Sequence, residues 1–266
     1  RSALTWGRMP AEELSLEPAM FKPCVVIPVF NHDRTVSAVV TEVLAQNLAC
    51  VLVDDGSSSR CSRSLRELAM ASPGMITLLR HPINRGKGGA VLTGLQYAAG
   101  AGYTHAVQID ADGQHRAADI PRFLEQALAN PEALIVGHPE YDSTVPTLRL
   151  YARYLTHVWV SINTLSRQIK DSMCGFRVYP LGPVIALNQR IRLGTRMDFD
   201  TEVLVRLYWD GLQILNVSTP VIYPPNGISH FRGCLDNALL SRMHATLFFG
   251  MLLRLPILIA RRWSAR

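Results

Sequence analysis

The chain has 266 residues, 48% hydrophobic and 18% charged, with a formal net charge of +6, which suits a globule with a substantial core: one large α/β domain or two small ones. Its five cysteines, Cys24, Cys50, Cys61, Cys174 and Cys234, show neither a CxxC pair nor zinc-ligand spacing, so a disulfide framework and a structural zinc are excluded and a reducing, cytosolic setting is expected. The charge is uneven, since six arginines face the single Asp236 between His230 and Arg266.

After a polar lead over residues 1–21, Cys24 to Val29 reads as a buried parallel-type strand, and Val36, Val39, Val40, Val43 and Leu44 repeat with helical spacing. Cys50 to Val53 is a second strand, followed by a helix marked by Leu65, Leu68 and Ala69; Met75 to Leu79 is a third strand. A glycine-rich turn opens a third helix from Gly86 to Ala99, and Ala106 to Ile109 is a fourth strand. Strands alternating with helices predict an α/β fold with a mostly parallel central sheet, flanked by helices through right-handed crossovers.

Leu247 to Ala260 is strongly apolar but contains Arg254 and Pro256, and it is shorter than the roughly 20 apolar residues of a spanning helix. With the arginines around it, residues 233–266 are expected to form one or two amphipathic helices lying on an anionic membrane surface. Arg232, Arg242 and Arg254 would meet the lipid headgroups. Nucleic acid is the weaker partner for such a tail, and a buried core or dimer helix is the alternative.

In open parallel sheets ligands sit beyond the carboxyl ends of the strands. Three strands here run into polar clusters at that edge: Phe30-Asn31, Asp54-Asp55-Gly56, and Asp110-Ala111-Asp112-Gly113-Gln114-His115. Continued as a strand, Asp110 and Asp112 would point to one face and repel. A hard divalent cation, Mg²⁺ or Mn²⁺, would cancel that repulsion, with Asp110, Asp112 and the Gln114 amide as oxygen ligands, and would bridge a nucleotide diphosphate. A solvated Asp-Gly turn is the alternative, and His115 reads as an exposed turn residue. Asn84-Arg85-Gly86-Lys87-Gly88-Gly89-Ala90 has neither P-loop nor dinucleotide-fold spacing, which removes support for NTPases and dehydrogenases. It reads as an anion-binding helix start with free N–H groups and the cations Arg85 and Lys87, or simply as a tight connection.

Together VVIPVFN (25–31), VDDGS (53–57), NRGKGGA (84–90) and DADGQH (110–115) resemble the family 2 glycosyltransferases of the GT-A fold, most of all the dolichol- and polyprenol-phosphate sugar synthases, over roughly residues 22–232. Cys174-Gly175-Phe176-Arg177-Val178-Tyr179 is similar to their GFRxY segment, and Met197 to Glu202 to their acidic helix start. The resemblance implies an inverting transfer from a nucleotide-diphosphate sugar to a lipid-linked or lipid-like acceptor, at the cytoplasmic face of a membrane. It places Pro28, Phe30, Asn31, Asp54 and Asp55 around the base and ribose, with Gly86 and Lys87 nearby, and the metal on Asp110, Asp112 and Gln114. It puts Asp200, or else Asp198, toward the acceptor, and Arg177 near the donor sugar or acceptor head group.

One position departs from the pattern. The family's Gly-x-Ser-Lys phosphate contact after the last strand reads here Gly227-Ile228-Ser229-His230, followed by Arg232. His230 and Arg232 are the candidate clamp, and a hydroxyl acceptor stands beside a phosphate one; a hydroxyl needs a base, for which Asp200 is the candidate. For Asp198, Asp200 and Glu202 helix capping is the competing account, and for Arg149 and Arg153 a solvated helix face. Two further functions compete: a non-catalytic membrane module on the same shell, and a sugar nucleotidyltransferase, whose early triphosphate loop is missing.

Overall fold

The computed structural model describes residues 20–140, 147–221 and 233–264. In chain order the elements are β1 (Pro23–Val29), α1 (Val36–Leu44), β2 (Cys50–Asp54), α2 (Ser59–Ala71), β3 (Ile76–Arg80), α3 (Lys87–Gly100), β4 (His105–Gln108) and α4 (Ile120–Ala129). They continue with β5 (Leu134–Glu140), α5 (Thr147–Thr164), β6 (Arg177–Pro180), α6 (Leu181–Arg190), α7 (Phe199–Trp209), β7 (Ile214–Pro220) and α8 (Gly233–Ser264). The seven strands form one sheet in the order β3-β2-β1-β4-β6-β5-β7.

Strand alternation builds a layer on each face of the sheet. Cys24 and Val26 of β1, with Val51 and Val53 of β2, pack against Val91 and Leu95 of α3 and on toward α6 and α7. Val25, Ile27 and Val29, with Cys50 and Leu52, face Val36, Val40 and Val43 of α1, Leu65 of α2 and Phe123 of α4. Both faces are covered, so the strands are near-continuous apolar runs. Each such side chain contributes about 1.5–3 kcal/mol of burial.

Two features of the topology position the site. The chain leaves β1 in one direction toward β2 and β3 and in the other toward β4, so the switch point lies between β1 and β4, and Asn31 and Asp110 follow those two strands. β6 alone runs against its neighbours, antiparallel to both β4 and β5. Its first residue, Arg177, is therefore paired with Gln108, the last residue of β4. The reversal brings the segment 171–176 to the same edge as the other strand ends. The N-termini of α3 and α7 also reach this edge, because each helix precedes a strand that runs back up to it.

The tail differs from the sequence reading. α8 is one helix of 32 residues that carries Pro256 within it; by length and composition alone it could cross a membrane, its most apolar 18-residue stretch having a mean hydropathy of 1.7. It starts at Gly233, and its Met243, Leu247, Met251 and Leu258 recur at four- and seven-residue steps and join the core layer of α7.

Candidate active site

The loops after β1 and β2 are stitched together. Asn31 sits at a left-handed φ of 56°; its N–H donates to Ser57 Oγ at 3.0 Å, and its Oδ1 accepts from the Ser58 N–H at 2.8 Å. Asp54, fully buried, accepts the Ser57 N–H on Oδ1 at 2.8 Å. Pro28 lies within β1 and Phe30 is half-buried just past it.

Asp55 spends its carboxylate on the glycine-rich turn. Oδ1 accepts from the Arg85 N–H at 2.8 Å and lies 2.7 Å from His81 Nδ1, while Oδ2 accepts from the Gly86 N–H at 2.8 Å and from Asn84 Nδ2 at 2.9 Å. The Gly89 N–H goes to the Thr195 carbonyl at 2.9 Å. The turn is therefore not an open anion cradle: three of its N–H groups are already taken within the protein. Close packing explains its glycines, because a Cβ on Gly86, which has φ 92°, would stand 2.5 Å from the Thr195 oxygen, and one on Gly88 would overlap Phe199.

Lys87, the first residue of α3, reaches across the edge. Its Nζ donates to Asp110 Oδ2 at 2.8 Å and lies 3.0 Å from Asp200 Oδ2. Burial disfavours the ammonium, but the charges of Asp110 and Asp200 outweigh it and hold the pKa above the ordinary lysine value. Burial likewise opposes ionisation of Asp110, yet Lys87 keeps its pKa below the usual carboxylate range. Asp112 lacks such a partner: burial and the Asp110 charge push its carboxyl up to about 6, while Oδ1 accepts the Gln114 N–H at 2.9 Å.

The three acidic residues at the start of α7 separate. Glu202 accepts the Gly194 N–H at 2.7 Å and pairs with Arg206, and Asp198 accepts the Arg196 N–H at 3.0 Å. Both hold the 194–196 loop, and Asp198 makes no capping bond. Only Asp200 turns to the site, with Oδ1 accepting from Gln108 Nε2 at 3.2 Å. Asp198, like Glu202, is thus engaged with the 194–196 loop.

Arg177 is placed beneath the site instead of at its surface. It is 0% exposed, and its guanidinium donates to the carbonyls of Cys174 at 2.8 Å, Ser172 at 2.8 Å and Asp200 at 2.6 Å, and to Tyr179 Oη at 3.3 Å. Tyr179 in turn donates to Gln108 Oε1 at 3.1 Å. Asp171, which the sequence reading passed over, anchors the adjoining turn. It accepts from Arg153 Nε at 2.5 Å and Nη2 at 2.9 Å and from the N–H groups of Met173 and Cys174. Arg153 therefore faces a carboxylate and not solvent. Tyr179 entered the sequence reading only as the last residue of the GFRxY-like segment, and Gln108 and Asp171 did not enter it, because the side-chain partners that give them a role, Asp200 and Tyr179 for Gln108 and Arg153 for Asp171, lie 92, 71 and 18 residues away.

Two other positions differ from the sequence reading. His115 is 8% exposed and lies tilted against Phe176, with ring centroids 5.5 Å apart, and burial pulls its imidazole down to about 4. Arg254 lies over the Trp209 ring, 4.7 Å from its centroid, and donates to the Gly250 carbonyl, so it is spent inside the protein. His230, Arg232 and the Arg149 side chain lie outside the described residues.

The donor set suits a hard cation. Asp110 and Asp112 offer only oxygen, Asp112 carries a raised pKa that a nearby positive charge would relieve, and Gln114 can add an amide oxygen. Among the described residues no group of three or more His, Cys, Asp or Glu is placed to hold a metal, so two carboxylates would leave most coordination positions to a ligand and water.

The mostly parallel α/β sheet, with acidic strand ends at its switch point, matches the fold of GT-A glycosyltransferases. Residues 24–180 match the model of glycosyl transferase family 2, and the chain belongs to that family of enzymes. It is similar to the UDP-N-acetylglucosamine–dolichyl-phosphate N-acetylglucosaminyltransferase of Methanococcus voltae, 25% identical over 75% of this chain and 85% of the relative. The polyprenol monophosphomannose synthase of Mycolicibacterium smegmatis is 27% identical over 61% of this chain and 64% of the relative. Among solved structures, glucosyl-3-phosphoglycerate synthase from Mycobacterium tuberculosis in complex with Mn²⁺ and UDP-glucose superposes with a TM-score of 0.64. It covers 88% of this chain and 79% of its own at 15% identity, a likeness of fold.

Proposed function

We propose that this protein moves a sugar from a nucleotide-diphosphate sugar to a lipid-linked or lipid-like acceptor at a membrane surface, inverting the anomeric carbon and using Mg²⁺ or Mn²⁺. The observation that carries the reading is the Asp110–Asp112 pair at the carboxyl end of β4, beside the switch point. Its oxygen-only donors are what a diphosphate-bridging cation requires. The names of the relatives, which act on dolichyl or polyprenyl phosphate, and the Mn²⁺ and UDP-glucose of the structural neighbour point the same way.

In this reading Pro28, Phe30, Asn31 and Asp54 form the base and ribose side, and Asp55 acts there by fixing residues 84–86. Asp110, Asp112 and Gln114 would hold the cation, which would stabilise the departing diphosphate. His230 and Arg232 are the proposed phosphate clamp on the acceptor side. Residues 22–232 would form the catalytic domain, with 233–266 as its membrane-facing extension.

The exposed apolar faces of α5 and α8 support a peripheral position at a membrane, which in this proposal is the cytoplasmic leaflet. On α8, Phe249, Leu253, Ile257 and Trp263 are exposed at 65%, 83%, 55% and 77%, and on α5 Tyr154 and Leu155 are also exposed. α8 is fastened along the domain: Arg261 donates to the carbonyls of Tyr208 and Trp209 at the end of α7. A helix held lengthwise in this way lies against a bilayer instead of crossing it.

The test is a thermal-shift panel of UDP, GDP, CDP and dTDP with and without Mn²⁺, on the protein and on Asp112→Ala. A ligand at a hundred times its Kd stabilises by about 2.7 kcal/mol. One nucleotide should shift the intact protein only with metal. If none shifts it, the donor reading fails and a non-catalytic membrane module takes its place.

A further inference from the structure

Lys87 touches both Asp110 and Asp200 through one ammonium. A lysine side chain is a flexible four-carbon stem, so that contact is only as well defined as the helix start that carries it. The 194–199 loop limits the start of α3 from one side, where a Cβ on Gly88 would overlap Phe199. From the other side it is held at the ends of β2 and β3, through His81, a residue that the sequence reading passed over.

His81 directly follows β3 and is 4% exposed. Its N–H donates to the Asp54 carbonyl at 2.8 Å, which continues the β2–β3 ladder by one residue and fixes the backbone. The ring then bridges two elements: Nδ1 lies 2.7 Å from Asp55 Oδ1, and Nε2 lies 3.0 Å from Oγ1 of Thr93, in the second turn of α3. The Asp55 carboxylate accepts, so Nδ1 carries a proton. Nε2 meets a hydroxyl that can turn. It either accepts from Thr93 or, in the doubly protonated ring, donates to it and leaves the hydroxyl proton to the Gly89 carbonyl at 2.9 Å. The bridge is kept in both arrangements.

Asp55 in turn accepts from the N–H groups of Arg85 and Gly86. One carboxylate therefore ties α3 at two points, directly just ahead of its first residue and through the imidazole in its second turn. Lys87 stands between them.

We infer that His81, with Thr93, is a positioning residue for Lys87: the imidazole sets the separation between Asp55 and the body of α3, and so keeps the ammonium on Asp110 and Asp200. What the ammonium serves rests on the transferase reading above. It offsets the carboxylates at the point where an anionic nucleoside diphosphate must come close, so its displacement should weaken nucleotide binding.

The experiment has one readout that needs no ligand. Lys22, Lys87 and Lys170 are the three lysines of the chain, so labelling the full-length protein with ¹⁵N-lysine gives three ammonium signals by NMR, and Lys87→Arg identifies the one from Lys87. In EDTA that signal should exchange slowly with water. His81→Leu should speed its exchange by about tenfold or more, and His81→Asn, which can still donate to Asp55, should recover part of the loss. Thr93→Val, which removes only the hydroxyl, is the milder variant and should act in the same direction. The Lys22 and Lys170 signals should not move, and thermal unfolding checks that each variant folds.

The second readout is calorimetric titration with UDP, GDP, CDP and dTDP in Mn²⁺. For the nucleotide that wild type binds, His81→Leu should raise Kd by about 5- to 10-fold, and in a Lys87→Gln background it should raise it no further. Lys87 exchange within about twofold of wild type in a folded His81→Leu or Thr93→Val protein would overturn the inference. So would an unaltered Kd, or losses that multiply in the double variant, because His81 would then act by another route. Faster Lys87 exchange in a protein that binds none of the four nucleotides would support the positioning role and remove the transferase reading instead.

Discussion

Gly175 and Asp110 approach so closely that a Cβ on residue 175 would stand 2.5 Å from Asp110 Oδ2. The antiparallel β6 creates this approach by delivering the 171–176 turn to the carboxyl end of β4. The atom in the way is the tip of a side chain, but one tied to Lys87, so making room means parting that pair. Gly175→Ala should lower transfer by about tenfold or more while costing on the order of 1–3 kcal/mol in urea unfolding, as overpacking does. A variant with full rate and unchanged stability would show that the contact has slack.

The raised pKa of Asp112 has a sign that can be checked. A folded-state value of about 6 above the unfolded 3.8 means that the folded chain holds the proton more tightly. Its contribution to stability is present below pH 3.8 and is lost as pH rises through 6. In EDTA at pH 7.5, Asp112→Asn should therefore melt above wild type, by about 2–4 °C for each kcal/mol recovered, and the gap should close near pH 4. Mn²⁺ should raise the melting temperature of wild type and leave the variant unchanged.

Arg177 is predicted to matter for folding as much as for rate. Arg177→Met would leave the carbonyls of Ser172, Cys174 and Asp200 without their donor in a dry interior, at a cost on the order of 3–5 kcal/mol in chemical denaturation. A surface ligand of the donor sugar would instead change KM and leave the denaturation midpoint where it was.

Membrane binding should follow the apolar face more than the charge. With Arg254 on Trp209 and Arg261 on the end of α7, the exposed surface of α8 is led by Phe249, Leu253 and Ile257. Phe249→Asp with Leu253→Asp should release the protein from vesicles in a sedimentation assay. Raising salt to a level that screens charges beyond roughly 3 Å should have the smaller effect on wild type. Binding that salt abolishes and the two aspartates do not would assign it to the basic residues.

Much of this protein was legible in order along the chain. The buried strands, the helices between them and the acidic residues that close β2 and β4 are local patterns, set by side-chain period and by where an apolar run ends. That is why the carboxyl edge, the Asp110–Asp112 pair and the family likeness could all be read from consecutive residues. The tertiary structure decided what those residues touch. The three acids of Asp198-Phe199-Asp200-Thr201-Glu202 look alike in sequence, yet two hold a loop and one meets Lys87, 113 positions earlier for Asp200. The glycines of residues 86–89 resemble an anion cradle until the 194–199 loop is packed against them. Arg177 reads as a binding cation until the reversed strand buries it, and Arg254 as a lipid contact until Trp209 lies beneath it. In each case the chemistry of a charged group depends on its distance to a partner from another element. Sequence spacing does not encode that distance; the order and direction of the strands do.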